Sequence, residues 1–217
     1  MRPQPIQRPF FSLPPIPCGT ASCGVPCRID ACARATKTFE AIRLIQLGAR
    51  IALICQLTGI EKTVAKRLYR ELTGTSPPPG QTPFTDAWYV ESDLRMLQAA
   101  IVWRLYECLD RPGRSKARIL IYVYEAYRQL VRKPVLDLIR VAYVPRLVAM
   151  RKWQERLCEE CHLRFLRPVE CLNTICPGCR LYHRYRCRRC DTPLHVRPRG
   201  RRRWICTNCR GVAIRKV

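Results

Sequence analysis

Cys158-Glu159-Glu160-Cys161 and Cys176-Pro177-Gly178-Cys179, followed by Cys187-Arg188-Arg189-Cys190 and Cys206-Thr207-Asn208-Cys209, set out four CxxC pairs between residues 158 and 209. Fourteen residues separate the first two pairs and fifteen the last two. Two residues between cysteines let both thiolates of a tight turn reach one tetrahedral Zn²⁺ at about 2.3 Å, and a link of about fifteen lets a hairpin bring the second pair opposite the first. The spacing predicts two Zn²⁺ ions per chain, held by Cys158, Cys161, Cys176 and Cys179 and by Cys187, Cys190, Cys206 and Cys209. Disulfides or free thiols are the competing chemistry, and an intertwined pairing of Cys158/Cys161 with Cys187/Cys190 is compatible with the same spacing. Four cysteines per ion leave no open coordination position, so the role expected of the metal is structural. Pro177-Gly178 reads as a turn dipeptide. Cys171 has no partner pair and reads as a hairpin residue or a substitute ligand. His162, His183 and His195 read as surface or hydrogen-bonding residues, and none begins the H-x-E pattern of zinc deaminases, so no catalytic residue is assigned and an enzyme is not expected.

The charge points the same way. The chain has 217 residues with 40 Lys+Arg against 16 Asp+Glu, net +24, and residues 180–217 carry 13 bases and one acid. Ten arginines from Arg184 to Arg210, interleaved with Tyr182, Tyr185 and Trp204, form an electrostatic footprint for phosphate. Arg188, Arg189, Arg199, Arg201, Arg202 and Arg203 are the DNA-contact candidates there, with a basic solubilising tail or an acidic protein partner as the other readings. No apolar run is long enough to span a bilayer, the best being Ile119–Tyr124. Prolines interrupt residues 1–17, so no secretory signal is read and a reducing, cytoplasmic compartment is expected, where paired cysteines bind metal more often than they form disulfides.

Between the ends the pattern is helical. Ile42, Ile45, Ala49 and Leu53 predict one helix over 36–56, and Ile60, Val64, Leu68 and Leu72 a second, ending at Gly74. Leu94, Leu97, Ile101, Leu105 and Cys108 mark a third over about 92–110. Ala117, Leu120, Tyr124 and Val131 mark a fourth that stops before Pro134. Leu136–Trp153 reads as a fifth, kinked or split at Pro145. The stretch from Ala49 to Leu72, with Gly59 at its turn, has the form of a helix-turn-helix whose second helix presents Lys62, Thr63, Lys66, Arg67 and Arg70 outward, ready for a major groove or simply solvated beside a packed face. Cys55 and Cys108 read as core. The resulting fold class is mainly α: a helical bundle containing a helix-turn-helix-like unit, followed by two small four-cysteine zinc ribbons with short β-hairpins. The expected domains are a Pro/Cys-rich extension over 1–35, a helical domain over 36–153, a first ribbon over 154–180 and an Arg-rich second ribbon over 181–217.

Leu44-Ile-Gln-Leu-Gly-Ala-Arg50, Leu68-Tyr-Arg-Glu-Leu-Thr-Gly74, Ser76-Pro-Pro-Pro-Gly80, Pro83-Phe84, Trp88, Trp103 and Tyr122–Tyr127, in that order and leading to the first CxxC set, resemble the FlhC family of flagellar transcriptional activators. The resemblance runs from about Phe39 to Cys179. It implies a cytoplasmic, mostly helical activator subunit that binds zinc through Cys158, Cys161, Cys176 and Cys179. It also implies an FlhD-like subunit in a heterohexamer, double-stranded promoter DNA and RNA polymerase as partners, at flagellar operons or at transfer genes of mobile elements. Residues 1–35 and 180–217 have no counterpart in the family pattern. The rival from another class is a zinc-ribbon protein bound to RNA or the ribosome.

Overall fold

The computed structural model describes residues 30–79, 85–194 and 205–210. The expected N-terminal extension up to residue 29, His195 and Arg197–Trp204 lie outside the described residues. What is described is mainly helical with one two-stranded antiparallel sheet, and it falls into two compact units, one drawn from Met1–Phe84 and Ile101–Arg146, the other from Thr85–Ala100 and Leu147–Val217.

The first unit begins with helix α1 (Asp30–Gln46), α2 (Ile51–Thr58) and α3 (Lys62–Thr73). The single helix expected over 36–56 is therefore two. Gly48 takes φ +87°, and the Gly48 and Ala49 N–H groups turn back to the Ile45 and Leu44 carbonyls, a left-handed helix stop that only glycine adopts without steric cost. Ile45, Ala49, Leu53 and Ile54 are all buried, so the apolar spacing persists through a break in the backbone. Gly59 (φ +69°) and Gly74 (φ +68°) end α2 and α3 in the same way.

Helix α6 (Lys116–Leu130) starts at Ser115, whose Oγ accepts the Arg118 N–H at 3.1 Å and donates to Glu40 of α1 at 2.6 Å. One hydroxyl thus caps α6 and fixes it to α1. Glu40 and Glu125, 3% and 8% exposed, are charges held inside the unit, and each has a cationic neighbour: Arg118 Nε at 3.5 Å from Glu40, and Arg43 Nε at 2.8 Å from Glu125. Buried carboxylates are tolerated only with such pairing. Tyr127 is fully buried, and its hydroxyl accepts the N–H groups of Val135 and Leu136, each at 3.0 Å, holding the chain that leads into α7 (Leu138–Ala149). Burial pushes the Tyr127 hydroxyl pKa up against the pull of those two N–H donors.

The second unit contains α4 (Ala87–Val90), the start of α5 (Asp93–Leu109), the hairpin β1 (Trp153–Leu157) and β2 (Arg164–Pro168), α8 (Pro177–Arg184) and α9 (Thr207–Arg210). Trp153 pairs with Pro168 at the open end of the hairpin. It is a strand residue and not the end of a fifth helix: α7 stops at Ala149, Arg151 takes φ +56° and the Lys152 N–H returns to the Leu147 carbonyl. The buried Trp153 ring meets Tyr89 edge-on at 5.4 Å, and its Nε1 donates to Asp86 at 2.7 Å. Arg180 of α8 binds Asp93 through Nε and Nη2 at 2.9 and 2.5 Å. Cys55 is half-buried, whereas Cys108 is exposed near the end of α5 and is not core.

Replacing Tyr127 with Phe keeps the ring and strands two backbone donors, one of them on buried Leu136. The expected loss is about 1 to 3 kcal/mol of unfolding free energy, measured by urea denaturation followed by circular dichroism.

Candidate metal centres

Each four-cysteine set is assembled from a knuckle and the first turn of a helix. In the first, Cys158 follows β1 and Cys161 closes the turn, the His162 N–H returning to the Cys158 carbonyl at 2.9 Å and the Cys158 N–H to the Leu163 carbonyl at 3.0 Å. Cys176 is the N-cap of α8, its Sγ accepting the Cys179 N–H at 3.3 Å. Pro177 therefore stands at the first helical position, where its missing N–H costs nothing, and Pro177-Gly178 is a helix start instead of a turn.

The second set repeats these contacts. The Asp191 N–H returns to the Cys187 carbonyl at 3.0 Å, the Cys187 N–H to the Thr192 carbonyl at 2.9 Å, and Cys206 and Cys209 lie at the start of α9. His162 (φ 57°) and Asp191 (φ 55°) hold the same left-handed position after each knuckle; His and Asp are among the residues that adopt it most readily. In both sets the third cysteine's N–H donates to the first cysteine's sulfur, at 3.2 Å for Cys176 to Cys158 and 3.3 Å for Cys206 to Cys187.

Within each set the four sulfurs all lie within 4.8 Å of one another. The separations are 3.9 Å for Cys158–Cys179, 3.7 Å for Cys161–Cys176 and 3.7 Å for Cys190–Cys206. A disulfide requires about 2.05 Å, whereas four sulfurs at about 2.3 Å from one tetrahedral ion stand about 3.8 Å apart. The sets thus have the size and donor chemistry of tetrahedral thiolate sites, and each is closed by consecutive pairs, without the intertwined exchange. Cys171 belongs to neither set and is half-buried.

The surroundings distinguish the four positions. Burial works to raise the Cys158 thiol, but N–H donors from Cys161, Cys176 and Glu160 outweigh it and bring its pKa down to about 6. Cys187 is likewise lowered to about 6, chiefly by the Cys206 N–H, with Cys190 and Arg189 adding to it. Thr192 lowers Cys190. Burial and the neighbouring sulfurs push Cys179 up, and the sulfurs of Cys190 and Cys206 push Cys209 up to about 12. Crowded thiols hold their protons until a cation takes their place.

The modules differ in support. The first has its hairpin and a small core in which Cys158, Phe165 and Cys176 are buried together, with Ile175 and Cys179 packed on them. Among the described residues the second has one β-bridge, Arg186 to Pro193, and the four-residue α9. A contact that the sequence does not signal joins α8 to the first knuckle: His183, in the last turn of α8, places Nε2 2.7 Å from Glu160, with Nδ1 3.6 Å from Asp191 of the second knuckle, beyond hydrogen-bond reach.

The DNA-contact candidates fall in two places. Lys62, Thr63, Lys66, Arg67 and Arg70 are all exposed on α3, opposite buried Ala65, and Arg67 lies 3.7 Å from Glu71. Arg188 and Arg189 are exposed within the second knuckle, where Arg189 Nη1 donates to the Cys209 carbonyl at 2.8 Å. Arg199, Arg201, Arg202 and Arg203 lie outside the described residues.

Because burial and the neighbouring sulfurs push the Cys179 thiol up and the neighbouring sulfurs push Cys209 up, adding zinc chloride to the chelator-stripped chain is expected to release protons at each site, and metal affinity is expected to fall as pH is lowered from about 8 to about 6. A weakly buffered indicator titration beside a competitive-chelator titration measures both.

The family profile described as "Flagellar transcriptional activator (FlhC)" matches residues 30–203, so that residues 30–35 and 180–203, expected to have no counterpart in the family, do have one; the span enters the second four-cysteine set and stops before Cys206. The flagellar transcriptional regulator FlhC of Paraburkholderia phymatum is 32% identical over 152 residues, 67% of this chain and 69% of that protein. Its counterpart in Variovorax paradoxus is 31% identical over 131 residues, 58% of this chain and 64% of that protein, and the one in Proteus mirabilis is 26% identical over 147 residues, 64% and 76%. The chain thus spans about two thirds of the length of these relatives, which are transcriptional regulators and not enzymes. No helix among the described residues is long and apolar enough to cross a membrane. With the profile matching most of its length, the chain belongs to the FlhC family of flagellar transcriptional activators.

Proposed function

We propose that the protein is a DNA-binding activator subunit that works with an FlhD-like partner in a hetero-oligomer and engages RNA polymerase at promoters of flagellar, or mobile-element transfer, operons. The observation that carries this reading is family membership combined with α3, whose solvent face is a row of Lys62, Lys66 and Arg70 beside Thr63 and Arg67. Residues four apart on a helix share a face, and a twelve-residue helix with its apolar side anchored and its basic side open has the dimensions for a major groove. Arg188, Arg189, Arg199, Arg201, Arg202 and Arg203 supply further phosphate contacts from the second module. Promoter DNA places the protein in the cytoplasm.

Both metal sites take Zn²⁺. Four thiolates at tetrahedral spacing are the donor set this ion favours, and with every position filled by cysteine it orders the modules without chemistry of its own. Native mass spectrometry of the purified chain is expected to find two zinc ions, and one in Cys176→Ser or in Cys206→Ser.

The experiment is footprinting and salt-dependent binding on promoter DNA with a co-expressed FlhD-like protein. Alanine at Lys66, Arg67 and Arg70 is expected to weaken binding and to reduce the slope of log K against log salt by about 0.9 for each phosphate no longer neutralised. An unchanged slope overturns the role of α3. A preference for structured RNA over duplex DNA in direct competition overturns the reading as a whole.

A further inference from the structure

We propose that the end of α8 and the start of the second metal module together capture an unpaired DNA base, stacked on the exposed rings of Tyr182 and Tyr185. The inference rests on the reading of that module as a DNA contact and goes beyond it in naming the ligand as an extrahelical base.

Tyr182 lies in the last turns of α8 and Tyr185 is its C-cap residue; they are 51% and 42% exposed. A single exposed aromatic calls for no explanation, but these two are held in place. The Arg186 guanidinium lies 4.2 Å over the Tyr182 ring, and His183 meets the same ring edge-on at 5.2 Å. Arg186 is itself fixed by Asp191, donating through Nη1 to the carbonyl at 2.9 Å with a carboxylate oxygen at 3.7 Å. The Tyr185 carbonyl accepts the Leu194 N–H at 2.9 Å, and the adjoining residues 186 and 193 form the module's β-bridge. Tyr185 and Arg186 therefore stand on backbone held by the second knuckle, Tyr182 is carried by α8 with Arg186 over one face of its ring, and both tyrosines remain about half exposed.

The described cations nearby suit a phosphate-bearing occupant: exposed Arg188 and Arg189 lie three and four residues beyond Tyr185, in a stretch, residues 180–217, whose sequence has 13 Lys+Arg and one acid. A basic surface carrying aromatic rings is the composition that binds unpaired nucleic acid, because phosphates meet the cations while bases stack on the rings. A closed duplex offers phosphates but hides its base faces, so exposed rings gain nothing from it. The face of α3 is the opposite case: among its exposed residues are cations and no aromatic. A module that prefers an unstacked base favours melted over closed promoter DNA by the difference of its two affinities.

The test uses the zinc-loaded full chain co-expressed with the FlhD-like protein and three probes of one promoter sequence: a paired duplex, the same duplex with a short unpaired bubble containing 2-aminopurine, and single-stranded RNA. The bubble is expected to bind about fivefold or more tighter than the duplex, the low end of what one base–aromatic stack contributes, with a change in 2-aminopurine fluorescence on binding. Tyr182→Ala/Tyr185→Ala is expected to abolish the preference while duplex affinity and zinc content stay unchanged, and Tyr182→Phe/Tyr185→Phe to keep it. Equal binding of bubble and duplex, with duplex binding intact, overturns this inference and leaves the activator reading standing. Tighter binding of the RNA overturns the assignment to DNA, and binding of none of the probes overturns both readings. Should the alanine pair fail to fold, the fluorescence change in the wild-type chain decides.

Discussion

Thiolates a few ångströms apart repel one another, and the chain beyond Ala149 is organised around satisfying that constraint twice. The sulfurs stand 3.7 to 3.9 Å from their neighbours, too far for a covalent bond and too near for several anions without a cation among them. The backbone prepares for this on the first cysteine of each set. N–H groups converge on Cys158 and Cys187 and lower both to about 6, while the fourth cysteine of each is pushed up. The buried centre of the first module consists of ligands as much as hydrocarbon, since Cys158 and Cys176 are two of its three buried members. So small a module cannot bury enough apolar surface to hold its shape by packing alone, and metal–thiolate bonds take over that role.

The helical unit meets its own electrostatic demand in another way. Glu40 and Glu125 are buried and compensated by arginines of the same unit, and Ser115 links one of them to a helix cap. These pairs orient α6 against α1, leaving α3 to present its cations to solvent. Positive charge is thus used for two purposes along one chain: Arg43 and Arg118 face inward to neutralise buried acids, while Lys66, Arg67 and Arg70 lie on the surface. Net charge alone does not separate these roles, because it is indifferent to the direction in which a side chain points.

Much was legible wherever the cause is local. The CxxC spacing, the helix of Leu94 to Leu105, the stop at Gly74 and the basic face of residues 62–70 are short-range patterns, and each carries its physical reason within a few residues. Where local signals compete, the reading falters. Gly48 breaks a helix whose apolar rhythm continues across the break, and at Arg151 the same kind of stop is built on an arginine, so no glycine marks it. Pro177-Gly178 suits a turn as well as a helix start, and the N-cap bond from Cys179 to Cys176 decides between them. Cys108 follows the apolar spacing of α5 yet lies on its open side.

The sequence by itself determined which cysteines can pair, which segments are helical and which stretches carry the charge, because ligand spacing, periodicity and composition act between neighbours along the chain. Only the tertiary structure decided that Thr85–Ala100 groups with the chain from Leu147 onward, a division that falls within α5. The bonds that make it so, Trp153 to Asp86 across 67 residues and Arg180 to Asp93 across 87, join groups that no periodic pattern relates. The same holds for His183 on Glu160: a lone histidine has no spacing to read, and its partner is set by where α8 comes to rest beside the first knuckle.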